Sequence, residues 1–570
     1  MKTLGGIHGQ KLNIQGLYYI FATLMDKIVP ASSKELEQLE EIGIVVGESS
    51  PSSFVFAVHP NLNDKVPRWE FVIAPLAEGF ILAQIRGVIS YSSLLKKELE
   101  YQALTRLTSR FIEECKHWRE ARVLAYIEDL NSASSTTCKR VKYAVTPGTK
   151  VYLAPDDLLT RVYSGSGKTL YVGHLVTRHT VKVNLSVSGF RRHVAIIAQT
   201  GAGKSYLTGV IMEELLEKGA TILVLDPHAD YVRMTKANDV WSPNLARRVT
   251  VYRASTRKAS RYIDVENLEV FSIRFANLSL EDIFYVCNVE ERHVWVRDVI
   301  RRVYDNLRKT RRDNYTLQDM VRELTILSQN EEARIREAAQ SALRRISNLA
   351  EWNVFGKEET EISEMLKPMR ISVIDLSGLS DREADLIAYI ILSKILNFKT
   401  QYEGQGFKLP IFLFIEEAHR FAPPNESTWS LPFIKRIAAE GRKFGIFLTL
   451  ISQRPSKIHP DILSQCNSQI IMRITNPKDQ KAVLEASERL GEELLEDLPG
   501  LDKGEAVVVG DIINMPAIIS VRKRRSYEGG ADIDVDGLLD EALKMAAEEE
   551  REKGQINEDW RKFRERSEPK

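Results

Sequence analysis

A glycine-rich loop between an apolar run and a helical pattern is the feature of this chain that most restricts its fold. The segment VAIIAQTGAGKS, 194–205, ends the apolar run with the loop, and apolar residues at helical spacing follow from Leu207 to Leu215. A strand that enters such a loop and a helix that leaves it bring successive backbone N–H groups and the positive helix end onto one anion. The segment therefore predicts a phosphate-binding loop within an α/β fold.

The residue types in this loop indicate a nucleoside triphosphate held together with magnesium. Lys204 is expected to reach the β- and γ-phosphates, and the Ser205 hydroxyl is expected to ligate Mg²⁺. Ala198 stands where the common G-x-x-x-x-G-K-[ST] pattern has its first glycine, whereas Gly201 and Gly203 stand where the backbone must wrap the phosphate. ATP and Mg²⁺ are therefore the expected cofactors. The residues of the loop expected to surround ATP are Gln199, Thr200, Gly201, Ala202, Gly203, Lys204 and Ser205.

A second glycine-rich stretch, GSGKT at 165–169, has similar residues in a different context. Apolar and polar residues alternate after it between Val181 and Val187, which is the periodicity of a strand rather than a helix. Gly-Ser-Gly is also common in turns. We therefore predict a turn at 165–169, and Lys168 is not expected to bind phosphate.

Two adjacent acids provide the expected partner of the phosphate loop. The apolar strand in LPIFLFIEE ends in Glu416 and Glu417, at the edge where parallel sheets bind ligands. Adjacent residues of a strand point to opposite sides, so the two carboxylates are expected to have separate roles. Glu416 is assigned to the magnesium shell through water, and Glu417 to polarising the attacking water as general base. Two acids at a solvated strand end are the alternative interpretation.

Two further strand ends carry polar residues at the same edge. Gln453 follows the strand IFLTLIS, and its amide can bond both the γ-phosphate and the lytic water. Asp226, in DPHADY, can orient water or hold Lys204, and its alternative role is to cap the turn that Pro227 begins. Both residues therefore join Glu417 in the expected catalytic set.

Apolar periodicity divides the chain into regions of different character. Short strand patterns near the N-terminus are typical of a small barrel, and continuous apolar strands alternating with helices are typical of a mostly parallel sheet covered on both faces. The predicted regions are an N-terminal β-barrel domain at 1–160 with a helical insertion near 92–118, a β-hairpin connection at 161–192, an α/β ATPase domain at 193–530 with a helical insertion near 280–368, and a charged helical tail at 531–570.

Composition and cysteine spacing narrow the class of protein. The 79 basic and 78 acidic residues leave a net charge of +1, so binding to nucleic acid requires local basic surface. The four cysteines are far apart and form no CxxC, which argues against a zinc site or a disulfide framework. No signal peptide or bilayer-spanning segment is evident at the N-terminus, so a cytoplasmic protein without membrane attachment is expected.

Five segments taken together resemble one ATPase family. They are RHVAIIAQTGAGKS, LVLDPHADY, FIEEAHRFAP, IAAEGRKFG and LISQRPSKIHPDIL. They are similar to the HerA–FtsK class of hexameric DNA-translocating ATPases, and most similar to archaeal HerA. The resemblance is strong over 190–525 and weaker over 1–160. It implies a RecA-like P-loop ATPase core preceded by a small barrel of the HAS type.

For the site, the resemblance implies that ATP lies between neighbouring subunits of a six-membered ring around duplex DNA. Arg442 matches the arginine that this family supplies in trans, where its planar donor fork neutralises charge on the γ-phosphate. Arg192 matches a second arginine that contacts the nucleotide, and Arg525 or Tyr527 is expected beside the base. An exposed cation at a helix end is the alternative interpretation of Arg442.

For function, the resemblance implies an ATP-dependent DNA translocase or helicase. Its implied partner is a NurA-type nuclease docked on the barrel, in the resection of double-strand breaks for homologous recombination. Lys236 and Lys457 follow nucleotide-sensing strands and are candidates for contact with DNA phosphates. Two alternatives stay open. One is a conjugation- or secretion-type ATPase, which usually carries a membrane anchor, and the other is a nucleotide-gated assembly scaffold that does not move along DNA.

Overall fold

The computed structural model covers the barrel, the ATPase region and the helical tail. The residues it describes are 39–92, 116–130, 141–254, 265–400, 407–529 and 535–567, without 313, 351, 353, 426 and 488, and in addition Leu36 and Lys139. The helical insertion predicted near 92–118 lies outside the described residues, apart from its two ends. No helix within the described ranges is both long enough and apolar enough to cross a bilayer.

The N-terminal region forms a closed barrel of six antiparallel strands in the order β1-β2-β5-β4-β3-β6. The strands are β1 (Glu41–Ser49), β2 (Ser53–Val58), β3 (Phe71–Pro75), β4 (Phe80–Tyr91), β5 (Lys116–Ile127) and β6 (Lys150–Leu153). Alternate residues of β2, Phe54, Phe56 and Val58, are buried in the barrel core. The predicted barrel is confirmed. Strand β6 is not evident from the sequence, because its four residues are too few to show a period.

The rest of the described chain is organised around a twelve-stranded sheet and a separate pair of short strands. The strands are β7 (Thr169–Leu175), β8 (Lys182–Ser186), β9 (Val194–Ile197), β10 (Thr221–Asp226), β11 (Val249–Ala254), β12 (Leu268–Phe271), β13 (Ile273–Arg274), β14 (Phe355–Gly356), β15 (Arg370–Asp375), β16 (Ile411–Ile415), β17 (Ile446–Ser452), β18 (Ser468–Ile471), β19 (Glu505–Val509) and β20 (Ala517–Val521). Strands β13 and β14 form the separate pair.

Most of the large sheet is parallel. Its parallel part has the order β12-β11-β15-β10-β16-β17-β9-β18, and β19, β20, β7 and β8 continue it as antiparallel strands. Strands β9, β10 and β16 are buried along their whole length, as expected where helices cover both faces of a sheet. The predicted α/β fold with a mostly parallel sheet is confirmed.

Helices pack on both faces of the sheet and continue beyond it. They are α1 (Asp156–Tyr163), α2 (Lys204–Glu217), α3 (Pro243–Ala246), α4 (Leu280–Val286), α5 (Val294–Arg311), α6 (Leu317–Leu327), α7 (Ala333–Ala350), α8 (Ile362–Met365), α9 (Asp381–Thr400), α10 (Leu431–Phe444), α11 (Pro460–Leu463), α12 (Pro477–Glu485), α13 (Glu492–Asp497) and α14 (Val535–Ser567). Helices α4 to α8 occupy the region in which a helical insertion is predicted. The buried face of α5 carries Val296, Ile300, Val303 and Leu307, at the spacing of an amphipathic helix.

The stretch GSGKT lies in a turn between α1 and β7. Gly165 and Gly167 have φ angles of 73° and 71°, which glycine adopts without steric cost. The exposed Lys168 places its Nζ 3.4 Å from the carbonyl oxygen of Lys218. Strand β7 then pairs with β8 as a hairpin at the end of the large sheet, within the region 161–192. The predicted turn and strand periodicity are confirmed.

One contact between the barrel and the ATPase region is the buried carboxylate of Asp497, at the end of α13. The indole Nε1 of Trp69 donates to Asp497 Oδ2 at 3.0 Å. The guanidinium of Arg68 pairs with the other carboxylate oxygen, and Arg86 Nη1 lies 3.5 Å from Oδ2. The Asp497 side chain is fully buried, so three barrel residues enclose it.

The parallel order brings four strand ends to one edge of the sheet. Strands β9, β10, β16 and β17 end at Ile197, Asp226, Ile415 and Ser452. Ile197 is in register with Ser452, and Leu225 with Ile415, so the loops that follow these strands lie side by side. The four loops carry most of the residues assigned to the site from the sequence.

Candidate active site

The phosphate loop has the context that the sequence predicts, with β9 before it and α2 after it. Gly201 and Gly203 have φ angles of 79° and 107°, so both positions require a conformation that residues with a Cβ rarely adopt. A Cβ on Gly203 would also lie 3.3 Å from the Met472 methyl group. Helix α2 begins at Lys204, so its unpaired N–H groups face the loop. The loop is therefore built to hold an anion.

Lys204 meets the two acids at the end of β16. Its Nζ contacts Glu416 Oε1 directly and lies 3.4 Å from Glu417 Oε1. All three side chains are buried. The second oxygen of Glu416 accepts a hydrogen bond of 2.7 Å from the hydroxyl of Tyr231. The lysine and the acids, which are over 200 positions apart in the sequence, thus form one cluster.

Glu417 faces a different set of partners from Glu416. Its Oε1 accepts a hydrogen bond of 2.8 Å from Gln453 Nε2, and its Oε2 lies 3.3 Å from His419 Nδ1. Its backbone is left-handed, with φ 48° and ψ 49°, a strained state for a residue other than glycine. Burial by itself raises the pKa of Glu417, but the His419 hydrogen bond and the Lys204 ammonium lower that pKa to about 2. The two carboxylates are therefore differently placed, which supports separate roles.

Gln453 connects the phosphate loop to Glu417. The hydroxyl of Thr200 donates to Gln453 Oε1 at 2.6 Å, while Gln453 Nε2 donates to Glu417. Both ends of the amide are thus engaged by residues of the site. The amide therefore lies between the phosphate loop and the acid. This position fits the prediction that Gln453 contacts both the γ-phosphate and the attacking water.

Asp226 supports the loop that follows β10. Its Oδ1 accepts from the backbone N–H groups of His228 and Asp230, at 3.2 and 3.1 Å, and its Oδ2 from that of Tyr231 at 3.0 Å. Burial, with the charges of Asp230 and Asp375, raises the pKa of Asp226 to about 8. These bonds fit the turn-capping role that the sequence leaves open beside orienting water or holding Lys204.

Three residues of the site are not identified by the sequence analysis. They are Asp230, which accepts a hydrogen bond from Ser205 Oγ, Tyr231, which bonds Glu416, and His419, which faces Glu417. Each lies within five positions of an acid that the analysis did assign. Proximity to an assigned acid in the sequence could have indicated these residues, but it does not predict the direction of a side chain.

Arg442 and Arg192 lie at the opposite edge of the sheet from the phosphate loop. Arg442 is in the last turn of α10, before β17 begins, and Arg192 precedes β9. Strand β17 runs seven residues from that edge to Ser452, a distance of roughly 20 Å. That is farther than an arginine side chain extends. The exposed side chain of Arg442 forms no hydrogen bond or ion pair with another described residue, whereas Arg192 Nη1 lies 2.9 Å from Asp511 Oδ2.

Arg525 packs against α2, whereas Tyr527 lies beside Arg233. Arg525 forms ion pairs with Glu217 at 2.7 Å and Glu214 at 3.1 Å, in the second half of that helix. The ring of Tyr527 is 41% exposed and lies 5.4 Å from the guanidinium carbon of Arg233. Neither contact tests the predicted position beside the base.

The two lysines proposed to contact DNA lie in different surroundings. Lys236 is partly buried at the end of the loop after β10, and Lys457 is exposed after β17. Both follow strands that end at the edge of the site.

Oxygen donors beside the loop suit a magnesium ion. The Ser205 hydroxyl and the Glu416 carboxylate are hard ligands of the type that Mg²⁺ prefers, and Mg²⁺ usually takes one or two protein oxygens together with nucleotide phosphates and water. Glu416 is paired with Lys204 in this structure. Lys204 must leave Glu416 if it is to reach a phosphate.

Comparison with known proteins identifies similar chains over most of the length. Residues 170–395 match the family described as "Helicase HerA, central domain". A probable helicase of Methanocaldococcus jannaschii is 32% identical over 524 residues, which are 86% of this chain and 97% of that protein. The DNA double-strand break repair helicase HerA of Pyrococcus furiosus is 30% identical over 553 residues, which are 89% of this chain and 97% of that protein. The solved structure of VirB4 of Thermoanaerobacter pseudethanolicus aligns with a TM-score of 0.46 at 14% identity, over 63% of this chain and 97% of that one.

Proposed function

Because the chain belongs to the HerA helicase family, we propose that it hydrolyses ATP to drive its movement along double-stranded DNA. The observation that carries this proposal is the cluster at the edge of the sheet. Glu417 after β16 lies within ion-pair distance of Lys204 in the phosphate loop and within hydrogen-bond distance of Gln453 after β17. These are a phosphate-binding cation, a base and an amide, which ATP hydrolysis requires together.

Each side chain takes one part of the hydrolysis. Lys204 exchanges Glu416 for the β- and γ-phosphates, and Ser205 and Glu416 are the residues that would hold Mg²⁺, Glu416 through water. Bound Mg²⁺ neutralises charge on the phosphate oxygens. Glu417 accepts the proton of the attacking water as general base, and Gln453 orients that water against the γ-phosphate.

The remaining charge at the γ-phosphate is neutralised by a neighbouring subunit. Arg442 and Arg192 lie too far from their own phosphate loop to act there, so they serve the site of the next subunit in a closed ring of six. A head-to-tail contact of this kind repeats around the ring and leaves a central channel for duplex DNA. Lys236 and Lys457 follow strands that end at the site, and we assign them to contact with DNA phosphates.

The biological role that we propose is resection of broken DNA ends. The relatives from Pyrococcus furiosus and Saccharolobus solfataricus are named as DNA double-strand break repair helicases. We place a NurA-type nuclease on the barrel, which Asp497 ties to the ATPase region. The motor then feeds duplex to the nuclease.

The experiment that tests the motor measures ATP hydrolysis with and without duplex DNA, together with displacement of a labelled strand. The Glu417→Gln variant is the control for hydrolysis by a contaminant. We expect DNA to stimulate hydrolysis and ATP to drive displacement. Hydrolysis that is indifferent to DNA, without displacement, would instead identify a nucleotide-gated assembly scaffold.

A further inference from the structure

A short hydrogen bond links the phosphate loop to an acid on the neighbouring loop. Ser205 Oγ donates to Asp230 Oδ2 at 2.5 Å, and Asp230 is 8% exposed. Ser205 is the residue whose hydroxyl is proposed to ligate Mg²⁺. Asp230 lies after β10, whereas Glu416 and Glu417, the acids that face Lys204, lie after β16. The contact therefore joins the phosphate loop to an acid from a different strand end.

Asp230 is held in place from several directions. Its backbone N–H donates to Asp226 Oδ1 at 3.1 Å, and its carbonyl oxygen accepts from the N–H of Gly529 at 3.0 Å. Ala229 before it has a φ angle of 60°, which turns the chain sharply. The carboxylate is thus presented by a fixed loop.

A cationic side chain lies beside Ser205 and Asp230. The buried guanidinium of Arg524 attracts Asp230, and Arg524 Nη1 also lies 3.4 Å from the carbonyl oxygen of Ser205. The guanidinium of Arg524 thus flanks the pair formed by Ser205 and Asp230.

A hydroxyl group that ligates a metal keeps its proton and must donate it to an acceptor. Acceptors of this kind orient the ligand and increase its basicity, and their removal typically weakens metal binding by about 10- to 100-fold. A charged acceptor makes the stronger bond. Asp230 has the position and the chemistry of such an acceptor.

We propose that Asp230 is a positioning residue for Mg²⁺: its carboxylate accepts the hydrogen bond of the Ser205 hydroxyl and thereby directs the hydroxyl lone pair at the ion. This inference rests on the proposed nucleotide site. Asp230 need not touch the metal or the nucleotide. Its loss should lower the affinity for Mg²⁺ but leave metal-free nucleotide binding unchanged.

The test measures binding rather than turnover. The affinity of the full-length protein for a fluorescent AMP-PNP analogue is determined in EDTA and across a series of MgCl₂ concentrations. For Asp230→Asn we expect about 10-fold or more additional MgCl₂ at half-saturation and an unchanged affinity in EDTA. The matched control is Asp239→Asn, an exposed acid in the same loop region, which should behave as wild type.

Two results would overturn the proposal. One is an unchanged MgCl₂ dependence in Asp230→Asn, and the other is an equal loss of affinity with and without Mg²⁺, which indicates a structural role. A double-mutant cycle sharpens the test, because Asp230→Asn should add nothing in a Ser205→Ala background. Should the wild type itself bind no nucleotide, the proposed function fails, which is a distinct outcome.

Discussion

Gln453 and Glu417, which follow two neighbouring strands, are joined by a hydrogen bond of 2.8 Å between Nε2 and Oε1. The opposite end of the same amide accepts from Thr200 in the phosphate loop at 2.6 Å. We therefore expect a change at the loop on nucleotide binding or hydrolysis to reach Glu417 through the side chain of Gln453. The predictions below follow from this site and from the contacts that support it.

Only one of the two glycine-rich loops should matter for hydrolysis. Lys204→Ala should lower ATP turnover by about 100-fold or more, because the phosphates lose their buried cation. Lys168→Ala is the matched control, since that lysine is exposed in a turn that leads into a strand. Steady-state phosphate release checks both. A folded Lys168→Ala protein without activity would mean that the other loop is the site.

Glu417→Gln should bind ATP and leave it uncleaved. The amide keeps the shape of the carboxylate but cannot accept a proton from water, so we expect hydrolysis to fall by about 100-fold or more. Filter binding of labelled ATP and analysis of the retained nucleotide check this. Glu416→Gln is the comparison, and it should instead alter the dependence on Mg²⁺. Normal turnover in Glu417→Gln would exclude the general-base role.

Arg442 should act on a neighbouring site. Arg442→Ala alone should lower hydrolysis by about 1,000-fold. In a ring that contains both Arg442→Ala and Glu417→Gln subunits, the first kind keeps Glu417 and the second keeps Arg442. An interface is complete where the intact Glu417 of one subunit meets the intact Arg442 of the next. Random equal mixing gives about a quarter of such interfaces in a ring. Turnover should therefore recover in mixed rings, verified by differently tagged subunits, and its absence there would contradict action in trans.

Asp497→Asn should weaken the junction between barrel and ATPase region. The change removes the charge that faces Arg86 and Arg68, of which Arg86 is buried. Breaking a buried pair costs about 3–5 kcal/mol, and the 44% exposure of Arg68 places the expected loss at the lower end. Thermal unfolding measures it, with exposed Asp502→Asn as control. Equal melting temperatures for Asp497→Asn and wild type would show that the contact does not stabilise the junction.

His193 should make stability depend on pH. Its Nδ1 accepts the N–H of Leu448 at 2.9 Å, and burial lowers its pKa to about 4. An unfolded histidine titrates near pH 6.5, so between pH 6.5 and 4 the unfolded state binds a proton at this residue that the folded state does not bind. The free energy of unfolding therefore decreases as pH falls through that range, by on the order of 3 kcal/mol. Urea unfolding from pH 7 to 4.5 measures this.

The His193→Gln variant should lose that part of the pH dependence, whereas exposed His179→Gln should retain it. An identical pH dependence in the His193 variant and the wild type would assign the effect to other groups.

Much of the architecture could be predicted because its signals are local. Five of the six barrel strands and the strands around the phosphate loop coincide with apolar runs in the sequence. The exceptions are short or exposed. Strand β6 has four residues, and three of the four residues of edge strand β12 are exposed, so neither presents a pattern of buried residues.

The candidate site was predictable only in part. Lys204, Glu417 and Gln453 could be assigned because each follows a strand that a parallel sheet directs to the same edge. The partners of those residues could not. His419 faces Glu417 in a segment whose backbone is left-handed at Glu417. No residue type in that segment predicts a left-handed backbone.

The sequence by itself determined the phosphate loop, the order of strands and helices, and the family, because glycine spacing and hydrophobic period act over a few neighbouring residues. Only the tertiary structure decided that Lys204 pairs with Glu416, that Ser205 faces Asp230, and that Arg442 lies at the far edge. These contacts depend on the order in which strands that are distant in sequence pair, and on the direction in which each side chain leaves its loop. That information belongs to the packed sheet and not to any segment of it.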